Sequence, residues 1–153
     1  MRQTWRALSR VPGGKRLFSM MIGRAARYTG SMGAQVVELQ GRRARVVLPD
    51  RPAVRNHLHC VHAIALANLA ELTGNLALVH GSPPGSRFIV AGLDIEYLKK
   101  ARGPITGHSE CPEIPNADRR EYLVEVSMRD EQGDEVARCT LRTLVGPTEK
   151  QAA

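Results

Sequence analysis

Between Arg55 and Arg87 the chain carries one charged side chain other than histidine, Glu71, inside the 19 residues Val61-His-Ala-Ile-Ala-Leu-Ala-Asn-Leu-Ala-Glu-Leu-Thr-Gly-Asn-Leu-Ala-Leu-Val79. That stretch is too long for a typical strand, and its apolar and small residues fall on every side of a helix instead of on one stripe. A helix apolar all round has to be enclosed by other elements. Its length approaches the ~20 residues of a bilayer span, but an acid at mid-membrane costs about 2.5–3.5 kcal/mol on insertion scales, and Asn68, Thr73 and Asn75 add further polarity. The expectation is a buried core helix. A carboxylate set in such a wall is desolvated, which favours its neutral form and raises its pKa. Glu71 is therefore the first candidate for catalysis, with a structural carboxylate bonded to Asn68, Asn75 or an amide of a neighbouring subunit as the plainer alternative.

The rest of the chain supplies strands to enclose that helix. Gln35–Gln40 and Ala44–Leu48 flank Gly41-Arg42 as a hairpin. In Phe88–Leu98 the residues Leu93, Ile95 and Tyr97 alternate with Asp94 and Glu96, the period of a strand with one buried face. A weaker strand follows Gly103-Pro104 to about Cys111. Tyr122–Met128 and Glu135–Val145 pair across the turn Asp130–Asp134. Leu17, Met20, Met21, Ile22, Ala25 and Tyr28 recur at helical spacing after Pro12-Gly13-Gly14, which predicts a short amphipathic helix ending near Gly30. The order predicts an α+β fold, an antiparallel sheet of about six strands wrapped around one long buried central helix, with a short N-terminal helix. It divides into a basic arm and helix over 1–30, a main unit over 31–147 and a tail over 148–153, a single domain in all.

Arg2, Arg6, Arg10, Lys15, Arg16, Arg24 and Arg27 lie in residues 1–30 without one acid, so the net charge of +7 sits entirely in the arm and the rest of the chain is neutral. Such a block reads as a solvated helix face, and the partners it suits are a membrane surface, a polyanion or the phosphates of a ligand. A transit peptide is the lesser reading, and no apolar run of secretory length follows the bases. With two Phe, three Tyr and one Trp the chain offers little to stack on nucleic-acid bases. Cys60, Cys111 and Cys139 are odd in number and widely spaced, as expected of reduced thiols in the cytoplasm.

Ahead of the central helix, Asn56, His57, His59, Cys60 and His62 fall within seven positions, so the helix begins polar while its body is not. Free amides at a helix start, with its dipole, favour developing negative charge such as that on an acyl oxygen. The His and Cys spacing matches no common zinc site, and no metal is expected. Cys60 reads as a small apolar thiol in place of a nucleophile.

The run from Asn56 to Glu71 resembles the hotdog-fold acyl-CoA thioesterases, in particular the phenylacetate-pathway-type branch and its uncharacterised bacterial relatives. Their pattern is approximately Asn-His-x-Gly-x-x-His-(Gly/Ala)-Gly, with an acid nine residues after the second histidine. His62, Ala63 and Glu71 match it, Leu93–Gly103 resembles the family's next strand, and the element order fits most of residues 30 to 146. By that resemblance Glu71 is the general base or the nucleophile, the Ala63 amide and the helix N-terminus polarise the thioester carbonyl, and Asn56 and His62 orient substrate or water. His57, His59, Ile64 and Asn68 border the substrate, and Lys99, Lys100 and Arg102 meet coenzyme A phosphates at the mouth. The sites lie between the subunits of a homodimer, which can pair into a tetramer. Coenzyme A enters as part of the substrate, acyl carrier protein being the other carrier, and no separate cofactor is implied. His59 and Ile64 stand where the family has Gly, which fills the loop and narrows the acyl pocket. Two other functions share the fold: a non-catalytic acyl-thioester-binding protein and a hydroxyacyl-thioester dehydratase.

Overall fold

The computed structural model describes residues 1–148, so the expected tail lies, beyond Thr148, outside the described residues. Three short helices, α1 (Arg2–Leu8), α2 (Gly14–Ala25) and α3 (Arg27–Ser31), precede the hairpin β1 (Gln35–Gln40) and β2 (Arg43–Leu48). Helix α4 (Ala63–Gly81) follows, then β3 (Ser86–Tyr97), β4 (Ile105–Glu110), β5 (Arg120–Arg129) and β6 (Glu135–Pro147). The strands form one antiparallel sheet in the order β1-β2-β4-β5-β6-β3. This is the hotdog architecture the sequence predicts, with α4 lying along the sheet.

Alternation explains the sheet. Ala44, Val46 and Leu48 of β2, Val124, Val126 and Met128 of β5, and Cys139, Leu141, Thr143 and Val145 of β6 are buried on one face, with exposed or half-buried residues between them. Against that face α4 sets Leu66, Leu69, Thr73, Leu76 and Ala77, and each fully buried leucine contributes about 1.5–3 kcal/mol. Gly74 lets helix and sheet touch, since a β-carbon built there lies 2.4 Å from Leu141 Cδ1. Helix α4 has the length and mean hydropathy of a membrane span, but half of that window is buried inside the protein.

The N-terminal arm is anchored in the core by Trp5 and Phe18, while its bases from Arg6 to Arg27 stay exposed, as expected of a solvated helix face. Trp5 packs edge-on against Phe18 with ring centroids 5.0 Å apart and donates its indole N–H to Leu39 O at 2.9 Å. Ser19 Oγ accepts the Val36 N–H at 2.8 Å, which ties α2 to β1. The single helix expected up to Gly30 is broken at Ala26, whose φ of −116° and ψ of 83° are not helical. The break lets α3 fold back on α2, with the backbones of Gly23 and Gly30 in contact.

His108 on β4 is half-buried, and burial holds its pKa below 6.5, with Arg45 and Arg129 adding repulsion. Below about pH 6.5 the unfolded chain therefore takes up a proton that the folded chain refuses, so stability present above that pH falls as the solution is acidified. His108→Gln is expected to flatten the urea midpoint between pH 7 and pH 5 relative to the parent protein.

Candidate functional site

The loop before α4 is built by Asn56. Its Oδ1 accepts the amides of Leu58 at 2.9 Å and Cys60 at 3.2 Å, and its own N–H donates to Cys60 O at 2.8 Å. Side-chain capture of following amides is what makes asparagine a loop former. Its amide oxygen is thus committed to the loop and positions the helix start. The loop's other end is clamped by Val61 N–H to Ala101 O and His62 N–H to Val54 O.

The loop turns at His59, whose φ of 55° is the one positive value among described non-glycine residues. The departure from glycine at this position thus falls where glycine is the easiest residue to place. The left-handed conformation costs a residue with a β-carbon roughly 1–2 kcal/mol, of which glycine's freer unfolded chain offsets about 0.5–1 kcal/mol. His59→Gly is expected to raise stability by up to about 1.5 kcal/mol, read from the urea midpoint.

Helix α4 starts with some of its amides unpaired. His62 is the N-cap, and its Nδ1 accepts the Ile64 N–H at 3.0 Å, so a neutral imidazole carries its proton on Nε2. The Leu66 N–H meets His62 O. Among the described residues no acceptor meets the amides of Ala63 or Ala65, so two of the dipole's positive ends stay open. Ala65 lines a cleft of about 370 Å³ together with His62, Ile64 and Asn68, with Tyr28 of α3 and Arg55 also in its wall. Tyr97 at the end of β3 donates its hydroxyl to Ala63 O at 3.0 Å and fixes the helix start from the sheet side. Tyr28, Arg55 and Tyr97 were not singled out as site residues in the sequence, because each arrives from a different element.

Glu71 is not enclosed. It lies exposed on a stripe of α4 whose other members are Ile64, also exposed, and Ala67 and Asn75, half-buried. The apolar wall inferred around it exists on α4's other sides only. On the same stripe Ile64 is 54% exposed, and Asn75 Oδ1 is shielded from water with no donor. Asn68 instead faces α3, accepting from Thr29 Oγ1 at 3.0 Å. At 1.5 Å per residue, Ala63 and Glu71 stand about 12 Å apart along the axis.

Of the three basic residues expected at the mouth, Lys99 is occupied, with Nζ 2.8 Å from Asp130 Oδ2 and 2.6 Å from Asp134 Oδ2. The Lys99 ammonium in turn holds the Asp130 carboxyl below its ordinary range. Lys100 and Arg102 remain exposed, as do His57 and His59. Among the described residues no three His, Cys, Asp or Glu side chains are placed to share a metal ion. The thiols of Cys60, Cys111 and Cys139 are free and buried, and burial pushes Cys111 and Cys139 up to about 11.

A family model described as Domain of unknown function (DUF4442) matches residues 14–145. No curated protein matches the chain. A protein solved as a structural-genomics target is 32% identical, with a TM-score of 0.81 over 95% of this chain and 97% of that one. A Pseudomonas aeruginosa protein of unknown function, described as a probable thioesterase, is 21% identical, with a TM-score of 0.78 over 86% of this chain and 94% of its own. A Haemophilus influenzae thioesterase is 15% identical, with a TM-score of 0.72 over 82% and 87%. The likeness to these last two is one of fold.

Proposed function

The chain belongs to the DUF4442 family, and from that premise we propose that it hydrolyses an acyl thioester at a site made by two copies of the chain. The observation that carries the reading is the pairing of open amides at the start of α4 with a lone, exposed carboxylate on the same helix. The Ala63 amide polarises the thioester oxygen, and a donor aimed at a developing oxyanion is worth roughly 10²–10³ in rate. Glu71 activates water or attacks the thioester carbon. His62, with its proton on Nε2, is free to donate to substrate or water.

Ala63 and Glu71 stand about 12 Å apart along α4, a long reach for one thioester held by both, so we take the two groups from different chains. Two helices running in opposite directions, stripe against stripe, set the Ala63 amide of one beside Glu71 of the other. This arrangement is supported by β3, whose outer edge pairs with no strand among the described residues and which carries Ile89 66% exposed. It also desolvates Glu71, supplying the enclosure that a single chain withholds. The subunit pair can associate further into a tetramer. Coenzyme A is the carrier that suits Lys100 and Arg102 at the mouth, and the free thiols suit a cytoplasmic setting.

The test is free-thiol release from a panel of short, long and aryl acyl-CoA thioesters by the purified protein. Turnover of at least one supports the reading. Stabilisation by acyl-CoA without release from any of them moves the protein to the binding class, for which the exposed Ile64 at the cleft is the favouring observation.

A further inference from the structure

A second and larger cleft, of about 580 Å³, lies between α2, α3 and the start of β1 and reaches Leu72 of α4. It shares no lining residue with the cleft at the start of α4. Its volume is that of a small-molecule site. The charges lining it have one sign: Arg16, Arg24 and Arg51, with no acid.

Arg16, Met20 and Arg24 form an i, i+4, i+8 row on α2, on the side turned away from buried Phe18, and Met20 is 54% exposed. Among the described residues neither Arg16 nor Arg24 meets an acceptor. Arg51 is fixed by donating Nη2 to Ser31 O and Met32 O, yet its Nε is shielded from water and has no acceptor. Three guanidinium groups around one opening repel one another, and a buried N–H without an acceptor is costly. An oxyanion at the opening offsets the repulsion, and guanidinium is the side chain best shaped for carboxylate and phosphate oxygens. The remaining wall includes Met20, Ile22 and Leu72, so the site is apolar beyond its charged groups.

We propose that this cleft binds a small anionic amphiphile, its carboxylate or phosphate head held by Arg16, Arg24 and Arg51 and its hydrocarbon tail laid along Met20 and Ile22 toward Leu72. The site is separate from Glu71 and from the Ala63 amide, so its occupancy does not depend on turnover.

Isothermal titration of the full chain with decanoate, decyl phosphate, decyltrimethylammonium and inorganic phosphate tests it. One decyl anion binds per chain, through carboxylate or phosphate according to which ligand is the tighter, while the cation fails to bind and inorganic phosphate binds at least tenfold more weakly than decyl phosphate. The pair Arg16→Ala and Arg24→Ala weakens the decyl anions at least tenfold with no change in melting temperature, both side chains being exposed. Glu71→Gln binds them as the parent does. Equal binding of the cation, indifference to the arginine pair, inorganic phosphate as tight as decyl phosphate, or loss of binding in Glu71→Gln would each overturn the proposal.

Discussion

Glu71→Gln is expected to lower thiol release from a good acyl-CoA substrate by at least about 100-fold, the lower end of what a positioned general base supplies. Glutamine keeps the length and shape of the side chain and can still orient a water, but it neither accepts the proton nor attacks the thioester carbon. The same substitution is expected to leave the melting temperature no lower than the parent's, because Glu71 makes no described ion pair and a neutral amide is easier to desolvate between subunits than a carboxylate. Thiol release with a colorimetric trap and a melting curve on the same sample separate the two effects. Activity lost together with the fold would make Glu71 a structural carboxylate. Activity kept with the fold would remove it from the chemistry.

Gly30→Val is expected to be the most destabilising of these substitutions. A β-carbon built on Gly30 lies 2.3 Å from Gly23 O, 2.7 Å from Gly23 C and 2.8 Å from Gly23 Cα, all of them backbone atoms that no rotamer change can move. Helices α2 and α3 must separate, and overpacking of this kind costs about 1–3 kcal/mol, with the β-branched valine toward the upper end. Movement of α2 also strains the Ser19 bond to β1 and the burial of Phe18, which is 2% exposed. Denaturant unfolding reads the loss. Ala25→Val, exposed at the last position of α2, is the control and is expected to change the midpoint little. Because Gly23 and Gly30 both line the 580 Å³ cleft, Gly30→Val is also expected to abolish amphiphile binding there.

Residues whose meaning is local were the ones readable in the sequence. Val46, Val126 and Leu141 announce their strands by period-2 alternation, and Gly41, at φ 56°, marks the two-residue turn between β1 and β2. Glu71 stood out because it interrupts an apolar run, and its place on α4 followed. Its surroundings did not follow, because a helix apolar on all sides gives no sign of which side the sheet takes and which is left for a second subunit. Asn56 looked like a substrate contact since a polar residue before a helix has two uses, and only the loop's path shows that its oxygen is spent on Leu58 and Cys60. Lys99 looked free because the acids that hold it, Asp130 and Asp134, lie more than thirty positions away. Helix α1 left almost no trace, its one buried side chain, Trp5, standing in a run of arginines. The cleft lined by Arg16, Arg24 and Arg51 joins positions that only the fold-back of α3 on α2 brings together.

The central claim, that each site takes its amide from one chain and its carboxylate from another, is tested most directly by mixing two inactive variants. Ala63→Pro removes the polarising N–H, and proline suits the first position of a helix when the preceding residue is extended, as His62 is with ψ 140°. Glu71→Gln removes the base. Each alone is expected to be inactive. After exchange of subunits, a mixed dimer holds one site with both defects and one with neither, so an equimolar mixture is expected to recover about a quarter of the parent rate of thiol release. A mixture that forms mixed dimers and stays inactive would contradict the shared site and return both groups to a single chain.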